Sequence, residues 1–306
     1  MIFSEVYRNQ VNLLVRTLPH VAEEDCFALK GGTAINLFAR DLPRLSVDID
    51  LTYLPIEDRQ TSLIAIGDAL RRIGERITTA DNSIRVTESA PASQAPANKL
   101  VIRSRERVQI KVEVTPVLRG CVYQPVMMEV SEKTQAQFGF AEMNVLSFSD
   151  LFAGKIMAAL DRQHPRDLFD VSQLLNNEGI SDEMRTALII YLISHDKPPH
   201  SSLAPNLKDI SQDYEQNFVG MTADEVSLAT LTDARENLIE DVVSNMPQFH
   251  KDFLHSFYKR EPQWDLLAID GAQDLPAVRW REQNLDRSGS GTKEDILKKL
   301  EQVIGQ

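Results

Sequence analysis

Short apolar runs and amphipathic stretches take turns along the first half of the chain. In residues 3–18, Val6, Val11, Leu14, Val15 and Leu18 fall near helical spacing, which predicts a helix. Cys26 to Leu29 is a short apolar run that predicts a buried strand, with a short helix over Thr33 to Ala39 after it. Leu45, Val47, Ile49 and Leu51 alternate with polar positions, the period of a half-buried strand. Residues 57–77 predict an amphipathic helix carrying Leu63, Ile66, Leu70, Ile73 and Ile77 on one side. Ala90–Asn98, rich in Ala, Pro and Ser, reads as a flexible loop. A hairpin follows, with strands at 100–102 and 108–114. In the second strand Val108, Ile110, Val112 and Val114 share one face, and Gln109, Lys111 and Glu113 the other.

From about residue 147 the period becomes helical. Ser147 with Asp150 resembles a helix start. Helices are expected over 148–160, 167–176, 182–194, 206–218, 223–243 and 246–258, then a Ser-Gly linker at 286–293 and a last helix at 293–304. The pattern is that of an α+β chain: a domain over 1–145 with a mixed sheet and helices, then a mostly helical domain over 146–306.

Composition sets limits without naming a function. The 306 residues, 42% hydrophobic and 25% charged, suit an ordinary globular protein with a sizeable core. No apolar stretch is long enough to span a membrane and the start does not resemble a signal peptide, so a cytoplasmic location and no membrane partner are expected. Cys26 and Cys121 read as free core thiols, and the six histidines show no metal spacing with them. The net charge of −12 is unevenly spread. Residues 1–120 hold 16 basic and 15 acidic residues, against 17 and 30 in the rest. The acidity therefore lies away from the first half, and a local basic surface remains compatible with a nucleic-acid partner. Lys99, Arg103, Arg105 and Arg107 ring the hairpin turn and are candidates for it.

The polar residues that look chosen begin at Gly31 and Gly32. Paired glycines after a strand let a backbone approach phosphate oxygens with no Cβ in the way. Thr33 is a cap or a phosphate-facing hydroxyl. Asp48 and Asp50, two apart on a strand, point to one face, where both carboxylates can hold divalent ions carrying a nucleoside triphosphate. Ser46 shares that face, Lys30 ends the preceding strand, and Glu113 on a later strand is a third candidate acid. This glycine turn followed by Asp-x-Asp is a signature of nucleotidyltransferase folds. A second block runs from Asp150 to Asp170. Lys155 and Arg162 lie two turns apart on one helix face, and Arg166, Asp167 and Asp170 open the next helix. The cations suit triphosphate oxygens, with the acids orienting them or taking a proton. Equally, the block reads as two helices tied by salt bridges. His164 reads as a turn or capping residue and Trp280 as a buried anchor.

Together, LKGGTAINLF, RLSVDIDL, IKVEVTP, LFAGKIMAALDRQHPRDLFDV and the later LPAVRWREQNL resemble the AbiEii/AbiGii family of abortive-infection nucleotidyltransferase toxins, which are type IV toxin–antitoxin and MenT-like. The resemblance covers most of the chain in motif order. It implies a polymerase-β-like fold and Mg²⁺-dependent transfer of a nucleotide from an NTP, with the 3′ end of tRNA as the leading acceptor. It also implies an AbiEi-type antitoxin encoded nearby and a role in growth inhibition or phage defence. By position it places the glycine motif on Gly31, Gly32 and Thr33, the metal acids on Asp48 and Asp50, the motif lysine on Lys155 and the Arg-Asp motif on Arg166 and Asp167. The chain departs from the usual pattern in a longer gap between Gly32 and Asp48, and in Glu113 where an Asp is common. Two rivals are a nucleotidyltransferase acting on a small molecule or protein, and a non-catalytic binding protein.

Overall fold

The computed structural model describes residues 3–92 and 95–305, so positions 93 and 94 of the expected 90–98 loop lie outside the described residues. Two compact units emerge, the first from residues up to Ser147 joined by Val219–Glu225, the second from Phe148–Phe218 and Val226 onward.

The first unit is built on a seven-stranded mixed sheet: β1 (Phe27–Lys30), β2 (Asp48–Tyr53), β3 (Arg85–Ser89), β4 (Lys99–Arg103), β5 (Gln109–Val114), β6 (Val126–Glu129) and β7 (Glu142–Val145). Its order is β3-β4-β5-β2-β1-β7-β6. β2 is the centre, antiparallel to β1 and parallel to β5. Alternation does the sorting. Ile49, Leu51, Ile110, Val112, Leu100 and Ile102 are buried, whereas Asp48, Asp50, Gln109, Lys111 and Glu113 on the other face are not. Helices α1 (Glu5–Ala22) and α3 (Arg59–Ala80) pack on the sheet through Val11, Leu14, Leu18, Ile66, Leu70 and Ile73, although Val6, expected among the apolar positions of α1, is exposed. Asp58 caps α3 by accepting from the Gln60 and Thr61 N–H groups.

Between β1 and β2 the chain forms α2 (Gly31–Thr33) and runs on as a π-helical turn, Ala34–Ala39, closed by the Arg40 N–H on the Ile35 carbonyl at 2.8 Å. The long return loop to β2 is then pinned. Leu45 N–H donates to the Met221 carbonyl and Ala223 N–H to the Pro43 carbonyl, at 2.8 and 2.9 Å, with Arg44 bridging Thr222. That pairing draws 219–225 into the first unit. It also explains why the helix expected from residue 223 starts only at Leu228, after the Ser227 cap.

Strands β3, β6 and β7 and the helix α4 (Glu132–Phe138) are additions to the sequence reading. β3 and β6 are edge strands, and four of the five β3 residues are exposed, so neither shows the alternation that marks a half-buried strand.

The second unit is helical: α5 (Phe148–Arg162), α6 (Pro165–Asn177), α7 (Asp182–Ile193), α8 (Pro199–Leu203), α9 (Ser211–Asn217), α10 (Leu228–Ser244), α11 (Gln248–Tyr258), α12 (Pro276–Arg287) and α13 (Ser290–Ile304). α7 is buried on nearly all sides, as its apolar run TALIIYLI requires. The single helix expected over 206–218 is shortened to α9. Gln163 explains this: its side chain donates to the Asn206 carbonyl at 2.8 Å and accepts from the Lys208 N–H at 3.0 Å, holding that segment out of helical form. The 286–293 linker shrinks to Ser288 and Gly289 between α12 and α13. Trp280 on α12 is 44% exposed, not the buried anchor expected, because α12 turns Val278, Arg281 and Leu285 inward instead.

Candidate active site

In the first unit the glycine pair and the Asp-x-Asp strand meet. Gly31 opens α2 with φ +73°, and a Cβ there would lie 2.8 Å from Asp50 Oδ2. A Cβ on Gly32 would lie 2.7 Å from Arg44 Nη2 and 2.9 Å from Ser46 Oγ. At both positions a Cβ would force a neighbouring side chain to shift, and Gly31 needs glycine for its backbone conformation. Thr33 is buried, and its hydroxyl donates to the Asp48 carbonyl at 2.5 Å, with Ser46 Oγ 3.1 Å away. Its role here is to tie the helix start to the first residue of β2. The amide of Asn36 donates to the Gly32 carbonyl at 2.9 Å, fixing the turn from the other side.

Charges cross the sheet in a row. Lys30 on β1 is the register partner of Asp50 on β2, Asp50 of Glu113 on β5, and Glu113 of Lys99 on β4. Lys30 Nζ donates to Thr115 Oγ1 at 2.8 Å. Burial pushes its ammonium below the ordinary lysine value, against the pull of Asp50 and Glu113. Glu113 forms an ion pair with Lys99 at 3.0 Å. Among the described residues no group of three or more His, Cys, Asp or Glu side chains is gathered to hold a metal. Glu113, the third acid expected beside Asp48 and Asp50, lies on the same face as the register partner of Asp50 and is paired with Lys99 from the neighbouring strand. Asp48 and Asp50 remain, on one face and both partly accessible, with Gly31 keeping the space beside Asp50 Oδ2 clear. Two hard carboxylates suit Mg²⁺, which is commonly held by one or two carboxylates completed by substrate phosphates and water.

In the second unit α5 and α6 build a buried charge cluster. Lys155 Nζ lies 2.8 Å from Asp167 Oδ1 and 2.9 Å from Asp170 Oδ2, all three buried. Arg162, at the exposed end of α5, holds the same Asp167 with two bonds, 2.5 and 3.0 Å. Burial would raise the Asp167 pKa. Lys155 and Arg162 outweigh it and hold the carboxyl well below the usual carboxylate range. The helix junction sets this geometry. His164 caps α6, its Nδ1 accepting from the Arg166 N–H at 3.2 Å, and Pro165 takes the first helical position. Burial, with Arg166 nearby, lowers the His164 pKa, in keeping with an unprotonated Nδ1 acceptor. Arg166 itself is half-buried and enters this cluster through its backbone.

Residues 12–271 match the family described as the nucleotidyl transferase AbiEii toxin of type IV toxin–antitoxin systems. The chain belongs to that family. As an AbiEii protein it is a nucleotidyltransferase, and its family implies an NTP substrate and an antitoxin partner. The fold agrees with a solved relative: MenT4, a nucleotidyltransferase toxin from Mycobacterium tuberculosis H37Rv, superposes with TM-score 0.61 at 13% identity, covering 96% of this chain and 93% of that one. Terminal uridylyl transferase 4 from Trypanosoma brucei with bound dUTP aligns over 96% and 98% at 12% identity, with TM-score 0.28. No curated protein matches the sequence. No helix among the described residues is long and apolar enough to cross a membrane.

Sequence reasoning passed over two residues of the first unit. Arg44, buried against Gly32, donates to the Leu45 carbonyl at 2.9 Å, and Thr115 receives Lys30. Thr115 carries no local signal, since its partner lies 85 residues away, and Arg44 shows its role only once the return loop packs on Gly32.

Proposed function

We propose that this AbiEii protein transfers a nucleotidyl group from an NTP to the 3′-hydroxyl of an RNA, with tRNA as the leading acceptor. The observation that carries the reading is the close approach of Gly31 to Asp50, which brings the glycine turn against the Asp-x-Asp strand. The backbone of Gly31 and Gly32 receives phosphate oxygens, with Ser46 beside them and Thr33 and Asn36 holding the turn. Lys30 balances Asp50 from β1. Asp48 and Asp50 would hold Mg²⁺, which when bound supplies charge neutralisation for the triphosphate and lowers the pKa of the attacking hydroxyl. The hydroxyl oxygen bonds to the α-phosphorus as the bond to the bridging oxygen breaks and pyrophosphate leaves. The hydroxyl proton passes to the carboxylate face of β2. Lys155, fixed by Asp167 and Asp170, is assigned with Arg162 and Arg166 to phosphate charge, an assignment carried by the family motif. The setting is cytoplasmic, with growth inhibition restrained by an AbiEi-type antitoxin and a role in phage defence.

Incubating the protein with each labelled NTP and Mg²⁺, with total RNA in one arm and cell protein in another, tests the reading. Label in the tRNA band supports it. Label confined to protein or to a small product replaces the acceptor, and the acidity of residues 121–306 would suit a cationic substrate of that kind.

A further inference from the structure

The polar face of the sheet does not stop at Asp48 and Asp50. Asp48 is the register partner of Lys111 on β5, and two residues along, Gln109 pairs with Arg103 on β4, which pairs with Arg85 on β3. Asp48, Lys111, Gln109, Arg103 and Arg85 therefore project from one face, since the intervening Ile49, Ile110 and Ile102 are buried on the other. Strand spacing and rise put Arg103 about 12 Å and Arg85 about 16 Å from Asp48 between Cα atoms.

At that end the β4–β5 turn adds Arg105 and Arg107, and the four arginines line a groove of about 590 Å³ together with Ser83 and Ser104. Among the described residues no Asp or Glu forms an ion pair with any of the four. Glu106 accepts from Ser104 Oγ at 2.7 Å, and Asp81 is held by Arg16 at 3.1 Å. Arg103 has one neutral partner, Gln109 Oε1, at 2.5 Å. Arg85, Arg103 and Arg105 are exposed, in a chain whose net charge is −12. Four guanidinium groups, with Glu106 beside Arg105 as the one acid acting on them among the described residues, offer forked donors to phosphodiester oxygens.

Sheet order gives the groove a direction. Gly31 and Gly32 lie on the β1 side of β2, and the arginines on the β5 side. We infer that the β3–β4–β5 end binds the phosphate backbone of a polynucleotide acceptor, entering from the side opposite the NTP with its 3′ end at Asp48 and Asp50. The inference rests on the proposed transfer reaction and gives its acceptor a path.

The test is RNA binding by the full chain. Fluorescence anisotropy with end-labelled tRNA and with a single-stranded RNA oligonucleotide is followed across a salt series, for wild type, R85E/R103E and R105E, with NTP binding measured in parallel. The double variant should bind at least about tenfold more weakly, and its slope of log affinity against log salt should fall by about 1.4, the loss of two phosphate contacts on a single strand. R105E should show a smaller change of the same sign, and all three should bind NTP alike. Wild-type RNA affinity unchanged by the substitutions, or absent while NTP binding is intact, overturns the groove; an acidic protein partner would give the second result. Arginine-dependent RNA binding without any nucleotide transfer would leave the groove standing and remove the reaction.

Discussion

A methyl group on Gly31 would sit 2.8 Å from Asp50 Oδ2, so the first helical residue after β1 and the second acid of β2 share one small space. Gly31→Ala must shift that carboxylate and hold an L-residue at φ +73°, which costs about 1–2 kcal/mol from the backbone alone. Nucleotide transfer should fall by about a hundredfold, while the melting temperature drops by only a few degrees. A variant with wild-type kcat and KM would mean that Asp50 does not need this space.

Thr33 makes a separate prediction. Its hydroxyl donates to the Asp48 carbonyl, and Thr33→Val leaves that acceptor unpaired at about 1–3 kcal/mol. Thr33→Ser keeps the bond. Chemical denaturation should rank wild type and Ser close together and Val below both, with transfer activity in the same order. Equal stability for Val and Ser would remove Thr33 as the tie between helix and strand.

Lys155 on α5 is held by two buried carboxylates of α6, Asp167 and Asp170. Asp170→Ala leaves the buried ammonium with half its compensation and should cost about 3–5 kcal/mol. pH dependence follows from Asp167. Its folded pKa is lowered, so its contribution is full above the unfolded carboxyl value near 4 and is lost as pH falls below that. Asp167→Asn should flatten the acid limb of a stability–pH curve, measured by urea titration between about pH 5 and pH 2. An acid limb identical to wild type would contradict the ion-pair assignment.

Growth provides a fourth check. Asp48→Ala and Lys155→Met, expressed at the level of wild type, should both lose toxicity. Only the second should also lower the unfolding midpoint, because Lys155 is buried between Asp167 and Asp170 whereas Asp48 is partly accessible. Full growth inhibition by the Asp48 variant at equal expression would detach the Asp-x-Asp strand from toxicity.

Much of the candidate site was legible because its signals are local. Gly31, Gly32, Asp48 and Asp50 fall within 20 residues, and strand alternation alone puts both acids on one face. Lys155, Arg162 and Asp167 were equally visible as a block, although only the fold shows that Asp167 is shared by both cations. Long-range partners escaped. The Lys99 partner of Glu113 shows only once β4 lies beside β5, and Thr115 acquires meaning only through Lys30, 85 residues away. Element boundaries failed where another segment intervened, as Gln163 does at 206–208 and Pro43 at 223. The edge strand β3 escaped for a different reason: its exposed sequence has no apolar face to read.

The central claim is that Asp48 and Asp50 support nucleotide transfer to an RNA 3′ end. Single-turnover assays with labelled NTP, Mg²⁺ and total tRNA, comparing wild type with Asp48→Asn and Asp50→Asn, test it most directly, with sequencing of the product ends. Wild type should extend tRNA 3′ ends by added nucleotides, and each variant should be slower by about a thousandfold or more with its fold intact. Transfer by either variant at the wild-type rate, or wild-type label that never appears at an RNA 3′ end, would contradict it.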